Sequence, residues 1–395
     1  MNMETPLDPT TWRWTKADEL ALKLIAEAHK RDMKIIFDGV FNHMGINSFA
    51  FKDLKEKQEK SPYKDWFTVH SFDDKEKGTA FDYEGWFGVK SLPEWRETDK
   101  GIVAGPKDYI FNATKRWMNP KGKGTKYGID GWRLDVAFEV EHAFWKDWRK
   151  LVKYINPDAY LTAEIVDKPE NVKPYMQGDE FDGEMNYNFA FTAAEFLFNP
   201  DGMNILPSQF DQELKRLRNL YPEGVAYVNQ NLFGSHDSNR IGSHIVNRGI
   251  ENFRNWGEYF NASIAGNNDK YNVRKPNREE LQLQKLFVIL QMTSVGAPMV
   301  YYGDEVGMWG GNDPDSRKPM IWDDISYENE RYLPNGIARN TKSEDVVSVN
   351  SDLMSFYKKL ISIRSSHRSL QLGSFKSLLI DDENNLYGFE REYHG

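Results

Sequence analysis

Short apolar segments alternating with stretches of helical spacing constrain this chain more than any other feature. The apolar segments are KIIFDGV (34–40), YGIDGWRLD (127–135), AYLTAEI (159–165), FDGEMNY (181–187), VNQNLFGSHD (228–237) and APMVYYGDE (297–305). Residues 17–31, 109–119, 142–155, 208–220, 278–293 and 351–364 read as helices. Strands alternating with helices imply a parallel sheet with right-handed crossovers. A closed (β/α) barrel needs eight strands. This chain opens on a helix and offers six, so the simplest account is an α/β barrel without its first two strands. An open, doubly wound sheet is the competing fold.

Three connections exceed the ~2–6 residues usual between strands and helices: 43–107, 238–277 and 304–350. All three follow the C-terminal ends of strands, where such folds place their sites. The first is rich in aromatic residues, among them Trp66, Trp86, Phe87 and Trp95, and reads as a lid. SFKSLLIDD and NLYGFERE, inside residues 367–395, read as two strands and a turn that begin a small β domain. The expected organisation is a partial catalytic barrel over 1–366, including the inserted 43–107, followed by the start of a truncated C-terminal β-sandwich over 367–395.

Composition closes off several functions. The formal net charge of −9 disfavours a phosphate backbone as partner, so no nucleic acid is expected. With no cysteine, disulfides, thiolate catalysis and zinc–thiolate sites are all excluded. The longest uncharged stretch, 286–303, is broken by polar residues, Gly296 and Pro298, and reads as a helix and a buried strand rather than a membrane span. The N-terminus, MNMETPLDPTTWRW, has no basic start followed by an apolar run, so it does not read as a signal peptide. The compartment stays open between periplasm and cytoplasm, because the chain reads as cut short at both ends.

Four strand ends carry polar groups that a purely structural strand would not: Asp38 with Asn42 and His43; Arg133 with Asp135; Glu164; and His236 with Asp237. Arg133 and Asp135 lie two apart and therefore share a face. A cation beside a carboxylate keeps it ionised, as a glycosidic nucleophile must be. A Glu at a dry strand end tends toward a raised pKa, which suits a general acid. Two carboxyl groups tuned apart are what glycoside hydrolysis requires. Each group has a plainer explanation alone: an ion pair, a solvated Glu, a helix cap, or a His–Asp metal pair. The shared placement at successive strand ends argues against those.

DGVFNH (38–43), GWRLDVA (131–137), AEI (163–165) and FGSHD (233–237) resemble the four signature regions of the alpha-amylase family, glycoside hydrolase family 13, in its order. SLPEW (91–95) and GAPMVYYGDE (296–305) resemble two further family segments. DVAFEVEHAFW (135–145) and GGNDPDSRKPM (310–320) look most like the neopullulanase and cyclomaltodextrinase branch. The resemblance implies a (β/α)8 TIM-type barrel lacking its first two strands. It implies Asp135 as nucleophile, Glu164 as general acid and base, and Asp237 as the third carboxylate. It further implies Arg133 and Asp38 as supports, His43 and His236 on sugar hydroxyls, Phe138 and Glu139 on the leaving-group side, and Asp315 and Arg317 toward the non-reducing side. Trp86, Phe87 and Trp95 are candidates for stacking on sugars or packing within the lid.

No cofactor is expected. Calcium is conceivable through Asn42, although Glu139 stands where relatives place a His. The implied activity is retaining cleavage of α-1,4-glucosidic bonds in maltooligosaccharides, cyclodextrins or pullulan. The alternatives are an α-glucan transglycosylase and a catalytically inactive fragment or glucan-binding pseudoenzyme. The implied partner is an α-glucan, with no membrane and a homodimer for a full-length parent.

Overall fold

The computed structural model describes residues 7–199, 204–222, 224–249, 253–334, 336–339 and 344–394. The chain divides into two compact units, Met1–Ile165 with Pro174–Glu184, and Val166–Lys173 with Met185–Gly395.

The first unit is built on four parallel strands, in the order Ile36–Gly39, Gly131–Leu134, Tyr160–Ala163, Gly183–Glu184. All four coincide with expected segments. The register sets Asp38 opposite Arg133 and Leu134 opposite Ala163. Gly131 allows the two central strands to close up, since a Cβ there would lie 2.0 Å from the carbonyl oxygen of Tyr160. Leu134, Leu161 and Ala163 are fully buried, as expected where helices cover a parallel sheet.

Helices Lys16–His29, Ala104–Met118 and His142–Ile155 belong to this unit. The first opens with a capping box between Thr15 and Asp18. The third buries Phe144, Trp145, Trp148 and Val152 along one stripe. Its two indoles are also satisfied: Trp145 Nε1 donates to the Ala137 carbonyl and Trp148 Nε1 to Thr114 Oγ1, both at 2.9 Å. The 43–107 insertion holds a helix, Phe49–Lys57, and two short antiparallel pairs, Val69–Ser71 with Asp82–Tyr83 and Glu97–Thr98 with Gly101–Ile102. Its aromatic residues pack on one another, Trp95 stacking on Phe67 at 5.0 Å and meeting Trp66 edge-on at 5.7 Å.

In the second unit Gln230–Asn231 pairs in parallel with Ala297–Pro298, and Met185 bridges to Gln230 in parallel. These strands are shorter than the apolar runs containing them. Pro298 has no N–H to extend a ladder, and Asn231 turns its side-chain amide onto the Val295 carbonyl at 2.7 Å. Helices Pro207–Leu220, Arg278–Thr293 and Ser351–Ser366 match the expected segments. Helix Tyr187–Leu197 was not anticipated. Residues 187–194 are all buried, so it lacks the polar–apolar contrast on which periodicity depends. Residues 238–277, read from sequence as a long connection, also contain helices Ile241–Val246 and Trp256–Ser263. Ser374–Asp381 and Leu386–Glu392 form the expected antiparallel pair.

Candidate active site

In the first unit, Asp38, Arg133, Asp135 and Glu164 meet at the C-terminal ends of three neighbouring strands. Period-two geometry places Arg133 and Asp135 on one face. Arg133 Nη1 donates to Asp135 Oδ1 at 2.6 Å and to Asp38 Oδ1 at 2.8 Å, and its Nη2 pairs with Glu164 Oε1. Arg133 is only 8% exposed. Burial works against its charge, but the fields of Glu164, Asp38 and Asp135 outweigh it and push its pKa up. The guanidinium therefore stays charged and holds three carboxylates at once.

Glu164 follows its strand directly and is buried. Its N–H donates to the Leu134 carbonyl at 2.9 Å. Its Oε2 accepts from the Val136 N–H at 3.2 Å, and its carbonyl from the Ala137 N–H at 3.2 Å. That grip needs a sharp turn after Asp135, and Val136 supplies it in a left-handed conformation, φ 38° and ψ 49°. A β-branched residue there is an outlier, costing on the order of 1–3 kcal/mol. A carboxylate oxygen of Asp135 lies within 4.8 Å of one of Glu164. Sequence reasoning set Glu164 at a dry strand end and did not foresee its ion pair with Arg133.

His43 is half-buried. Desolvation lowers its pKa against the pull of Asp135, which leaves the imidazole neutral near pH 7. Its ring stacks on Trp86 at 5.4 Å. Phe138 and Glu139 lie on the short turn Ala137–Glu139, where Phe138 is exposed and Glu139 is raised in pKa by burial and then by the charge of Glu94. Trp95 is buried inside the insertion, whereas Phe87 is 74% exposed with φ 46°. Of the three candidate stacking residues, then, Trp95 packs and Phe87 projects.

Asn42 is buried, with its amide 3.4 Å from both His43 Nδ1 and Glu94 Oε1. Burial raises the pKa of Glu94 as well as that of Glu139. Among the described residues, neither joins a group of three His, Asp or Glu side chains close enough to share an ion.

In the second unit, His236 and Asp237 stand on the segment after Gln230–Asn231. His236 Nε2 lies 2.9 Å from Asp237 Oδ2, and Arg317 Nη2 donates to Asp237 Oδ1 at 2.8 Å. Arg317 Nε donates to the His236 carbonyl at 2.9 Å. The segment is anchored from below: Tyr187 Oη donates to Ser235 Oγ at 3.0 Å, and Ser235 Oγ accepts the Asp237 N–H at 3.1 Å. Asp315 takes a different place from the one expected of a sugar contact. It is 3% exposed, with Oδ2 accepting the Gly311 N–H at 2.7 Å. Asp313, four residues before Arg317, pairs with it at 3.1 Å instead. The spacing of Asp313 and Arg317 was a signal available in the sequence.

Two further features lay beyond sequence reasoning. Arg240 is fully buried and pairs with Asp304 at 3.0 Å. Burial raises the Asp304 carboxyl to about 7 despite that pairing. Its Oδ2 would lie 3.0 Å from a Cβ at position 234, so only glycine fits there without a shift.

Residues 15–269 and 251–373 match the family described as Alpha amylase, catalytic domain. The chain belongs to the alpha-amylase family. This family member is 36% identical over 401 residues to neopullulanase 2 of Thermoactinomyces vulgaris, which covers 98% of the chain and 56% of the relative. It is 31% identical to a cyclomaltodextrinase of Geobacillus thermopakistaniensis, over 93% of the chain and 51% of the relative. The chain spans about half the length of the curated relatives it matches. Among solved structures, a cyclomaltodextrinase superposes with a TM-score of 0.69 at 29% identity, covering 94% of this chain and 52% of that one. The cyclic α-maltosyl-(1→6)-maltose hydrolase of Arthrobacter globiformis gives 0.68 at 28%, covering 92% and 66%. These alpha-amylase family neighbours imply a (β/α)8 barrel, in keeping with the parallel sheet.

Proposed function

We propose that this chain carries the catalytic machinery of a retaining hydrolase of α-1,4-glucans, acting on maltooligosaccharides, cyclodextrins or pullulan. The supporting observation is the pair Asp135 and Glu164, two carboxyl groups on neighbouring strand ends whose oxygens approach within 4.8 Å. Retaining glycosidases hold theirs about 5–5.5 Å apart. The relatives named neopullulanase and cyclomaltodextrinase point to the substrate class.

In this reading Asp135 attacks the anomeric carbon while Glu164 gives its proton to the departing glycosidic oxygen. The old C–O bond breaks and an ester to Asp135 forms. Glu164, now ionised, takes a proton from water, which attacks the same carbon and releases Asp135. Arg133 holds and aims Asp135. By the family resemblance, Asp237 holds ring hydroxyls as the ring flattens, and His43 and His236 are each read as contacts to sugar hydroxyls. Phe138 and Glu139 shape the leaving-group side, and Arg317 binds toward the non-reducing side. The six expected strand segments are read as strands three to eight of the family barrel, residues 43–107 as its lid, and Ser374–Glu392 as the opening of a β domain.

Reducing-sugar release from maltoheptaose, β-cyclodextrin and pullulan tests the proposal, with Asp135→Asn as control. Release that vanishes in the variant supports it. Release that persists in Asp135→Asn overturns it.

A further inference from the structure

Three guanidinium groups of the second unit lie close enough to share one electrostatic field. Arg364 Nη1 donates to the carbonyls of Met292 and Ser294 at 2.9 and 3.2 Å. Arg391 Nη1 donates to that of Thr293 at 2.8 Å, with its Nε and Nη2 on Ser374 and Gly373 at 3.0 and 2.9 Å. Both thus cap the C-terminus of helix Arg278–Thr293, where a cation is favoured. Arg218 has no such task. It lies over the ring of Phe375 at 4.0 Å. Among the described residues its guanidinium makes no hydrogen bond and has no carboxylate within ion-pair distance. The nearby Asp211 is committed elsewhere, to Lys215 at 2.7 Å and Tyr387 Oη at 2.9 Å.

Stacking covers the face of a guanidinium and leaves its in-plane N–H donors free. Arg218 lines a cavity of about 410 Å³ together with Asn219, Tyr227, Ser374 and Phe375. Arg391 stands behind Ser374, bonded to its carbonyl. Burial, and then the charges of Arg364 and Arg218, lower the Arg391 pKa to about 10, so all three groups remain cationic near pH 7. Like charges gathered in partly desolvated surroundings are costly, and a bound anion removes that cost.

We propose that this cavity binds the phosphate group of a small phosphorylated metabolite, with Arg218 as its main donor and Asn219, Tyr227 and Ser374 as flanking polar groups. Of the three guanidiniums only that of Arg218 is left without a carbonyl or carboxylate partner, and arginine matches phosphate oxygens with paired N–H donors. The volume leaves room for an organic portion beside Phe375 and Tyr227.

The test is calorimetric titration and thermal melting of the whole chain with inorganic phosphate and with glucose 6-phosphate. Glucose and sodium chloride at matched ionic strength serve as controls. Saturable stabilisation by both phosphates and by neither control is expected. Arg218→Met should weaken phosphate binding by about tenfold or more, with Arg218→Lys intermediate. Should Arg218→Met fail to fold, Asn219→Asp decides: it sets a negative charge at the exposed rim and should weaken binding without altering the melting temperature of the free protein. Stabilisation equal to that by chloride, or unchanged affinity in Arg218→Met or Asn219→Asp, would overturn the proposal.

Discussion

The backbone N–H of Val136 donates to Oε2 of Glu164 at 3.2 Å, so the residue after the proposed nucleophile holds the proposed acid. Val136 does this from a left-handed conformation. The two carboxyl groups are therefore spaced by a strained main-chain turn as well as by side-chain packing. Sites of this kind retain strain where the surroundings over-determine the geometry.

Glu164→Gln keeps the shape of the side chain and removes its proton. Activity on maltoheptaose should fall by roughly 10²–10⁴-fold. A 2,4-dinitrophenyl maltoside, whose leaving group needs no protonation, should recover most of the rate of its first step. Equal losses on both substrates would show that Glu164 is not the acid.

Arg133→Met leaves Asp38, Asp135 and Glu164 together without their shared cation. Removing one partner of a buried ion pair costs about 3–5 kcal/mol, to be read from urea unfolding. Arg133→Lys should restore only part of this, because an ammonium cannot reach three carboxylates as a planar guanidinium does.

Asp313 and Asp315 should respond in opposite ways. Asp315→Ala strips the Gly311 N–H of its buried acceptor and should lower stability by about 1–3 kcal/mol. Asp313→Ala removes only the half-exposed partner of Arg317 and should change stability by less than about 1 kcal/mol. Its effect should instead appear as a raised KM for maltoheptaose. Melting curves and initial rates on the two variants separate the roles.

Glu97 makes stability depend on pH. Burial, then the charges of Glu141, Glu94 and Glu139, raise its carboxyl to about 7 against a hydrogen bond from the Glu141 N–H. The native state thus holds this proton more tightly than the unfolded chain does. The associated stability is fully present below about pH 4.5 and is lost as pH rises through about 7. Glu97→Gln, which mimics the protonated form, should be more stable than the parent at about pH 8 and little changed at about pH 4. A urea midpoint difference that does not grow with pH would count against this account.

Phe87 projects from a turn in which its neighbour Trp86 stacks on His43. Phe87→Gly relieves a positive φ, offset by the greater freedom of glycine when unfolded. Stability should therefore move by less than about 1 kcal/mol. Loss of an exposed aromatic surface should weaken long maltooligosaccharides more than maltotriose. Equal KM values on both would assign Phe87 no role in binding.

Much of this protein is local in origin. The six strand positions and the helices at 16–29, 142–155 and 278–293 follow from apolar spacing, with capping boxes at the starts of the first and third of these helices. Arg133 and Asp135 share a face because a strand has period two, and Asp135 and Glu164 stand at strand ends because their apolar runs stop there. Tertiary structure decided the rest. Arg133 reaches Asp38 and Glu164 only because register brings residues 95 and 31 positions away alongside it. Helix 187–197 escaped a periodicity reading because residues 187–194 are all buried, and a fold in the 310–317 loop turns Asp315 inward onto the Gly311 N–H while Asp313 pairs with Arg317. The left-handed turn at Val136 runs against the preference of its own residue, and only the packed surroundings hold it there. Sequence by itself determined which residue types stand at the strand ends, since that is a matter of short-range chemistry. Their distances, burial and charge states depend on contacts between distant segments, which exist only once the chain has folded.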